Sequence, residues 1–144
     1  MKISKTRFWF STTYGSYASS SNAISNTTLD NILIESICGS VYNYSIYLSN
    51  ANNITLNNIS MLTQTNINTT SQPLYNIGVV LKLCNNITYN NVSITANSNI
   101  CTNNIGTSFI DSNATLNNIK FIINSGTIQN IGIKTDNTQI STPT

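Results

Sequence analysis

The chain has 144 residues, a formal net charge of +2 and only 7% charged side chains, against about 25% in an average soluble domain. That length makes a single domain, and so small a charge excludes the electrostatic footprint of a nucleic-acid binder or a polybasic membrane anchor. Hydrophobic residues at 40% leave enough apolar carbon for a core, so solubility falls to amides and hydroxyls, in the form of 26 Asn, 19 Ser and 20 Thr.

The 22 isoleucines largely alternate with polar residues, which opposes the disorder an Asn-rich chain can otherwise show and favours strands. Asn, Ser, Thr and Ile are all mediocre helix formers, and no stripe of 3.6-residue period persists. Eight N-x-S/T sequons occur, but chance alone gives about seven at this composition, so they do not argue for glycosylation.

In chain order, "MKISKTRFWF" opens as a signal peptide would, with Lys2, Lys5 and Arg7. Its apolar part is only Phe8, Trp9 and Phe10, shorter than the roughly 7–15 residues of a signal's hydrophobic region, so no cleavable export signal is expected. Residues 1–25 are expected to form a cap or irregular lead-in that covers an open sheet edge. The alternatives are a flexible tail, or contact with nucleic acid or membrane.

From residue 26 the sequence repeats. "NTTLDNILI" (26–34), "NITLNNISM" (53–61), "NITYNNVSI" (86–94) and "NATLNNIKF" (113–121) align without gaps, their threonines Thr28, Thr55, Thr88 and Thr115 spaced by 27, 33 and 27 residues. In one copy, Ile54 and Leu56 flank Thr55, and Ile59 and Met61 flank Ser60, so each half buries one face. The intervening Asn57-Asn58 breaks the alternation by one residue. Keeping both halves inward requires a bend, and Asn tolerates the left-handed backbone a bend needs. The corner residues are then Asn31, Asn58, Asn91 and Asn118.

Such a unit is unstable alone and must stack on its copies at about 4.8 Å. Stacking predicts the inner columns Thr27/Ile54/Ile87/Ala114, Leu29/Leu56/Tyr89/Leu116, Ile32/Ile59/Val92/Ile119 and Ile34/Met61/Ile94/Phe121. The corner asparagines become a side-chain amide ladder. A looser family follows each copy: 42–50, 75–85, 103–113 and 130–137. Its Ile46, Leu81, Phe109 and Ile133 each lie four residues before Asn50, Asn85, Asn113 and Asn137, which predicts one further column. Gly78, Gly106 and Gly132 are expected to permit tight bends. The connection 62–73 accounts for the 33-residue step.

This pattern resembles the right-handed parallel β-helix repeat, and its corner asparagines resemble that family's asparagine ladder. The Asn/Thr-rich texture resembles the adhesin-like surface proteins of methanogenic archaea. The resemblance implies an all-β, right-handed parallel β-helix (solenoid) of about four coils over residues 26–140, with 141–144 as a C-terminal tail.

The chemistry-bearing residues are few. Without histidine, Ser-His and Cys-His nucleophilic arrangements and imidazole metal sites are excluded. Of the four acids, Asp30 and Glu35 lie across the first corner, while Asp111 and Asp136 belong to the looser family; Lys82 and Lys134 could flank Asp111 on adjacent coils. That is the best candidate for a catalytic cluster, and isolated surface charge is the plainer account. Cys38, Cys84 and Cys101 have no C-x-x-C spacing and read as small core residues, with one disulfide and a leftover thiol as the alternative. An outward Thr column could suit ice binding, but its neighbour column, Leu33/Ser60/Ser93/Lys120, is irregular. The longest apolar stretch, 77–84, is interrupted by Lys82 and too short to span a membrane.

The expectation is therefore a non-enzymatic, surface-exposed structural or adhesin-like module at the cell surface or outside the cell, without catalytic residues, metal or cofactor. Glycan or protein ligands would meet the outer faces and the 62–74 loop, and the stack would form a homo-oligomer or continue a longer solenoid. The alternatives are a carbohydrate-active β-helix (lyase- or glycosidase-like) and a viral or fibre subunit.

Overall fold

The computed structural model describes residues 2–4, 7–10, 17–18, 25–38, 42–65, 75–98, 103–124, 129–136 and 139–141. Every element among them is a strand: β1 Lys2–Ser4, β2 Arg7–Phe10, β3 Tyr17–Ala18, β4 Ser25–Cys38, β5 Tyr42–Ser49, β6 Asn52–Thr65, β7 Tyr75–Lys82, β8 Asn85–Asn97, β9 Asn103–Ile110, β10 Asn113–Asn124, β11 Gln129–Asp136 and β12 Gln139–Ser141. One sheet runs β1-β4-β6-β8-β10-β12 with β2 also on β4, and the other runs β11-β9-β7-β5-β3. All pairings are parallel. From β4 onward the chain alternates between the sheets, so each long strand and its successor make one level of a stack, compatible with a β-helix-like solenoid.

Register in the first sheet follows the repeat. Thr27 pairs with Ile54, Ile54 with Ile87 and Ile87 with Ala114, and the other three predicted columns stack likewise. Ile54, Leu56, Ile59, Met61, Ile87, Tyr89, Val92 and Ile94 are all fully buried. Alternation explains this: a parallel sheet closed by a second sheet buries every other side chain of a strand.

The second sheet departs from expectation by two residues. Leu48, Leu81 and Phe109 share a column, while Ile46 stacks with Val79, Thr107 and Ile133. Ile46 and Ile133 therefore do not lie in the Leu81/Phe109 column. Asn50 and Asn85 occupy different positions of the same corner, since Asn85 pairs with Asn52; an alignment anchored on them slips the strands.

The glycines also act differently. None of Gly78, Gly106 and Gly132 has positive φ. A Cβ on Gly78 would overlap Ile94 Cγ2 and lie 2.6 Å from Gly106 O, and one on Gly106 would overlap Phe121 Cδ1. Glycine is needed where the second sheet closes on the first, and backbone freedom is not the reason. At Gly132 the nearest atom would be an ordinary 3.6 Å away.

The six-residue excess of the long repeat lies wholly between β6 and β7: three residues separate β4 from β5, and nine separate β6 from β7. Residues 62–65, expected in a loop, belong to β6, while 66–74 lie outside the described residues. The main core spans both sheets. A second, separate cluster on the second sheet joins Ile77, Val80 and Ile105 with Tyr44, Tyr47 and Tyr75.

Candidate functional site: the asparagine ladders

Three places per level must turn the chain, and amides hold all three. At the corner within the first sheet, Asn31, Asn58, Asn91 and Asn118 have φ of 55°, 51°, 52° and 53°. These left-handed values cost most residues about 1–2 kcal/mol and suit Asn, whose short amide bonds locally. Asn118 Nδ2 donates to Asn91 Oδ1 at 2.7 Å, and Asn91 Nδ2 donates to Asn58 Oδ1 at 3.2 Å. Asn58 Nδ2 then turns to Asp30 Oδ1 at 3.3 Å, so Asp30 receives that amide in place of Asn31. The adjacent column runs beside it: Asn57 Nδ2 donates to Asp30 Oδ1 at 2.7 Å and Asn117 Nδ2 to Asn90 Oδ1 at 2.7 Å.

Between the second sheet and the next level lies another corner, begun by Asn50, Leu83 and Asp111, again with left-handed φ of 54°, 54° and 46°. A small buried residue follows each, Ala51, Cys84 or Ser112. Backbone bonds continue through it, from Leu83 N to Ile110 O at 2.9 Å and from Asn113 N to Cys84 O at 3.0 Å. Asn86 Nδ2 donates to Asn53 Oδ1 at 2.6 Å and Asn53 Nδ2 to Asn26 Oδ1 at 3.0 Å. In the last copy this corner is one residue shorter, and Asn113 serves two positions: its Oδ1 accepts from Asn86 N at 2.6 Å and its Nδ2 donates to Asn85 Oδ1.

The third ladder is internal, and sequence reasoning missed it. Asn43, Asn76 and Asn104 are 0% exposed. Asn43 Nδ2 lies 3.2 Å from Asn76 Oδ1 and 2.6 Å from Gln64 O, while Ser36 Oγ donates to Asn43 Oδ1 at 2.6 Å. Asn76 Nδ2 donates to Asn104 Oδ1 at 3.0 Å and to Thr63 O at 2.8 Å, and Asn104 Nδ2 reaches Asn124 O at 2.6 Å. Each amide satisfies the last carbonyls of a first-sheet strand where the chain leaves for the second sheet. Left open, those buried carbonyls would each cost about 1–3 kcal/mol. A usable signal was present: "NIG" recurs at 76–78, 104–106 and 130–132.

The charged candidates fall into two groups, Asp30 and Glu35 in the first sheet, and Asp111 and Asp136 with Lys82 on neighbouring levels of the second. Asp30 is buried and committed to two amides. Asp111 begins an exposed corner, its N–H donating to Asp136 O at 2.9 Å. Lys134 pairs with Ser108, three residues from Asp111, and so does not flank it; Lys82 pairs with Ile110. Glu35 lies one sheet position beyond the core residue Ile34, across the Asn31 corner from Asp30. Among the described residues no group of three His, Cys, Asp or Glu could hold a metal ion.

Cys84 is buried, and burial pushes its thiol up from its ordinary value. The side chain of Cys38 and all of Cys101 lie outside the described residues. Tyr89 is enclosed at 0% exposure, with its hydroxyl 3.3 Å from Thr107 Oγ1 and its ring edge-on to Phe109 at 6.2 Å. Burial holds its phenol well above the usual range. Among the described residues no helix is long and apolar enough to cross a membrane. Comparison with family models, curated proteins and solved structures finds no match for this chain.

Proposed function

We propose that the chain is a right-handed parallel β-helix serving as a non-enzymatic structural or adhesin-like module at the cell surface or outside the cell. The alternation of strands between two parallel sheets supports the coil, because each return to a sheet is a crossover between parallel strands, and such crossovers are right-handed in about 98% of cases.

The observation that carries the functional reading is the outer face of the first sheet, which presents hydroxyls in register: Thr28, Thr55, Thr88 and Thr115 stack, as do Ser60 and Ser93. Such an array suits hydrogen bonding to glycans or proteins across an outer face. Two acids do meet, Asp111 and Asp136, at an exposed corner with Lys82 in the column of Asp136. Carboxylate chemistry on a sugar would need that pair to converge on one bond, so this corner is where the alternative, cleavage, would be found.

The test is a polysaccharide panel. Saturable binding without product is the expected outcome, and cleavage at enzyme-like rates that Asp111→Ala abolishes overturns the reading. Protease shaving of intact source cells checks the location, with release of peptides from this chain expected.

A further inference from the structure

The outer face of the first sheet bends at the left-handed corner, and the two sides of the bend differ. The column expected beside the threonines, Leu33/Ser60/Ser93/Lys120, lies beyond the bend. On their own side, Thr28, Thr55, Thr88 and Thr115 run between two columns of amides. Next to the corner, two residues after each threonine, stand Asp30, Asn57, Asn90 and Asn117. Two residues before each threonine stand Asn26, Asn53, Asn86 and Asn113, exposed at all four levels, with the threonines themselves half-buried.

The amides are held in place before any ligand arrives. Asn86 Nδ2 donates to Asn53 Oδ1, Asn53 Nδ2 to Asn26 Oδ1 and Asn117 Nδ2 to Asn90 Oδ1. A primary amide has two N–H donors and two acceptor sites, so the ladder leaves Asn53 one of each to present outward. A threonine hydroxyl likewise both donates and accepts. Side chains already ordered by the fold do not have to be immobilised on binding, which removes part of its entropic cost.

Charge and area select the ligand. Of these positions only Asp30 is charged, and its carboxylate is buried and taken up by the amides of Asn57 and Asn58. Lys2 pairs with Thr28 and stands outside the four levels. A neutral polyol, whose every hydroxyl donates and accepts, matches such a surface, and an anionic polymer meets no cation within it. The columns span about 13 Å along the strands and the levels about 14 Å along the stack, roughly 200 Å². A stable protein partner needs about 800 Å² per side, so a second copy of the chain finds too little surface here.

We propose that this face binds a neutral, unbranched β-1,4-linked glycan laid along the stack, with about one sugar ring per level. Such a chain is an extended ribbon whose rings follow one another at close to the spacing of the levels, so the same contacts recur from Thr28 to Thr115. A helically wound glycan would leave the straight column after a ring or two.

The inference rests on the glycan-binding reading above and gives it a face, a direction and a class of sugar. It is tested by calorimetry of the full chain with cellohexaose and chitohexaose, beside maltohexaose and the anionic β-1,4-linked hexamannuronate. Expected is saturable 1:1 binding of a neutral β-1,4-linked hexamer, weakened about tenfold or more in Thr55→Val/Thr88→Val, as two lost hydrogen bonds imply. The same change at Thr95, beyond the bend in the column of Leu62 and Ile122, should leave affinity unchanged. Urea midpoints check that the variants are folded, and the single variants Thr55→Val and Thr88→Val, each weaker by about threefold, replace the double variant if its midpoint falls. Binding that these variants retain, equal or tighter binding of maltohexaose or hexamannuronate, or no binding of either neutral β-1,4-linked hexamer overturns the proposal. In the first two cases a glycan still binds and the broader reading stands; absence of saturable binding across the whole polysaccharide panel removes that reading as well.

Discussion

The corner amides and the internal amides use one residue type for different physical ends. At Asn58 and Asn91 the side chain is exposed and the backbone is left-handed, so the choice of residue concerns φ first and the ladder second. At Asn76 the φ is ordinary, water is excluded, and the amide is held by Thr63 O and Asn104 Oδ1. An exposed amide can fall back on water when its partner is lost, and a buried one cannot. The internal ladder should therefore dominate stability although it is the shorter.

The largest expected effect follows directly. Asn76→Ala leaves Thr63 O and the ladder on both sides unsatisfied and should cost about 3–4 kcal/mol in denaturant unfolding; a loss below that of Asn58→Ala would reverse the ranking. Next comes Gly106→Ala, whose methyl collides with Phe121 and Gly132 O and should cost about 2–3 kcal/mol, while Gly132→Ala stays within about 0.5 kcal/mol.

The buried interior also predicts a pH dependence that the corners do not. Cys84 and Tyr89 are both raised by burial, from ordinary values of 9.0 and 10.0. The folded chain keeps protons that the unfolded chain gives up, so stability is full below pH 9 and falls as pH rises from there. In urea unfolding followed against pH, Cys84→Ala should remove the earlier part of the decline and Tyr89→Phe the later part.

The smallest effects sit at the corners. Asn58→Ala should cost about 1–2 kcal/mol, mostly backbone strain. Leu83 holds φ 54° in the column of Asn50 and Asp111 and is 49% exposed, so Leu83→Asn should raise stability by about 1 kcal/mol.

The legibility of the two sheets differs for a physical reason. In the first, each copy carries two alternating halves about a fixed Asn pair, so pattern and register are the same information, and the four columns could be written down in advance. In the second, the strands share little beyond "NIG", and the corner before the next level holds Asn50, Leu83 or Asp111 at one position and shortens by a residue in the last copy. With no invariant residue to anchor it, the alignment slipped by two. The asparagines at 43, 76 and 104 looked like any others, because burial is a property of what surrounds a residue.

By itself the sequence determined that strands form, which face of each first-sheet strand turns inward and where that strand must bend, since alternation and the left-handed tolerance of Asn are local properties of the chain. Only the tertiary structure decided which amides are sealed from water, which glycines lie against the opposite sheet and which acids meet. Those facts depend on groups far apart in sequence meeting across the stack, and no window of neighbouring residues contains them.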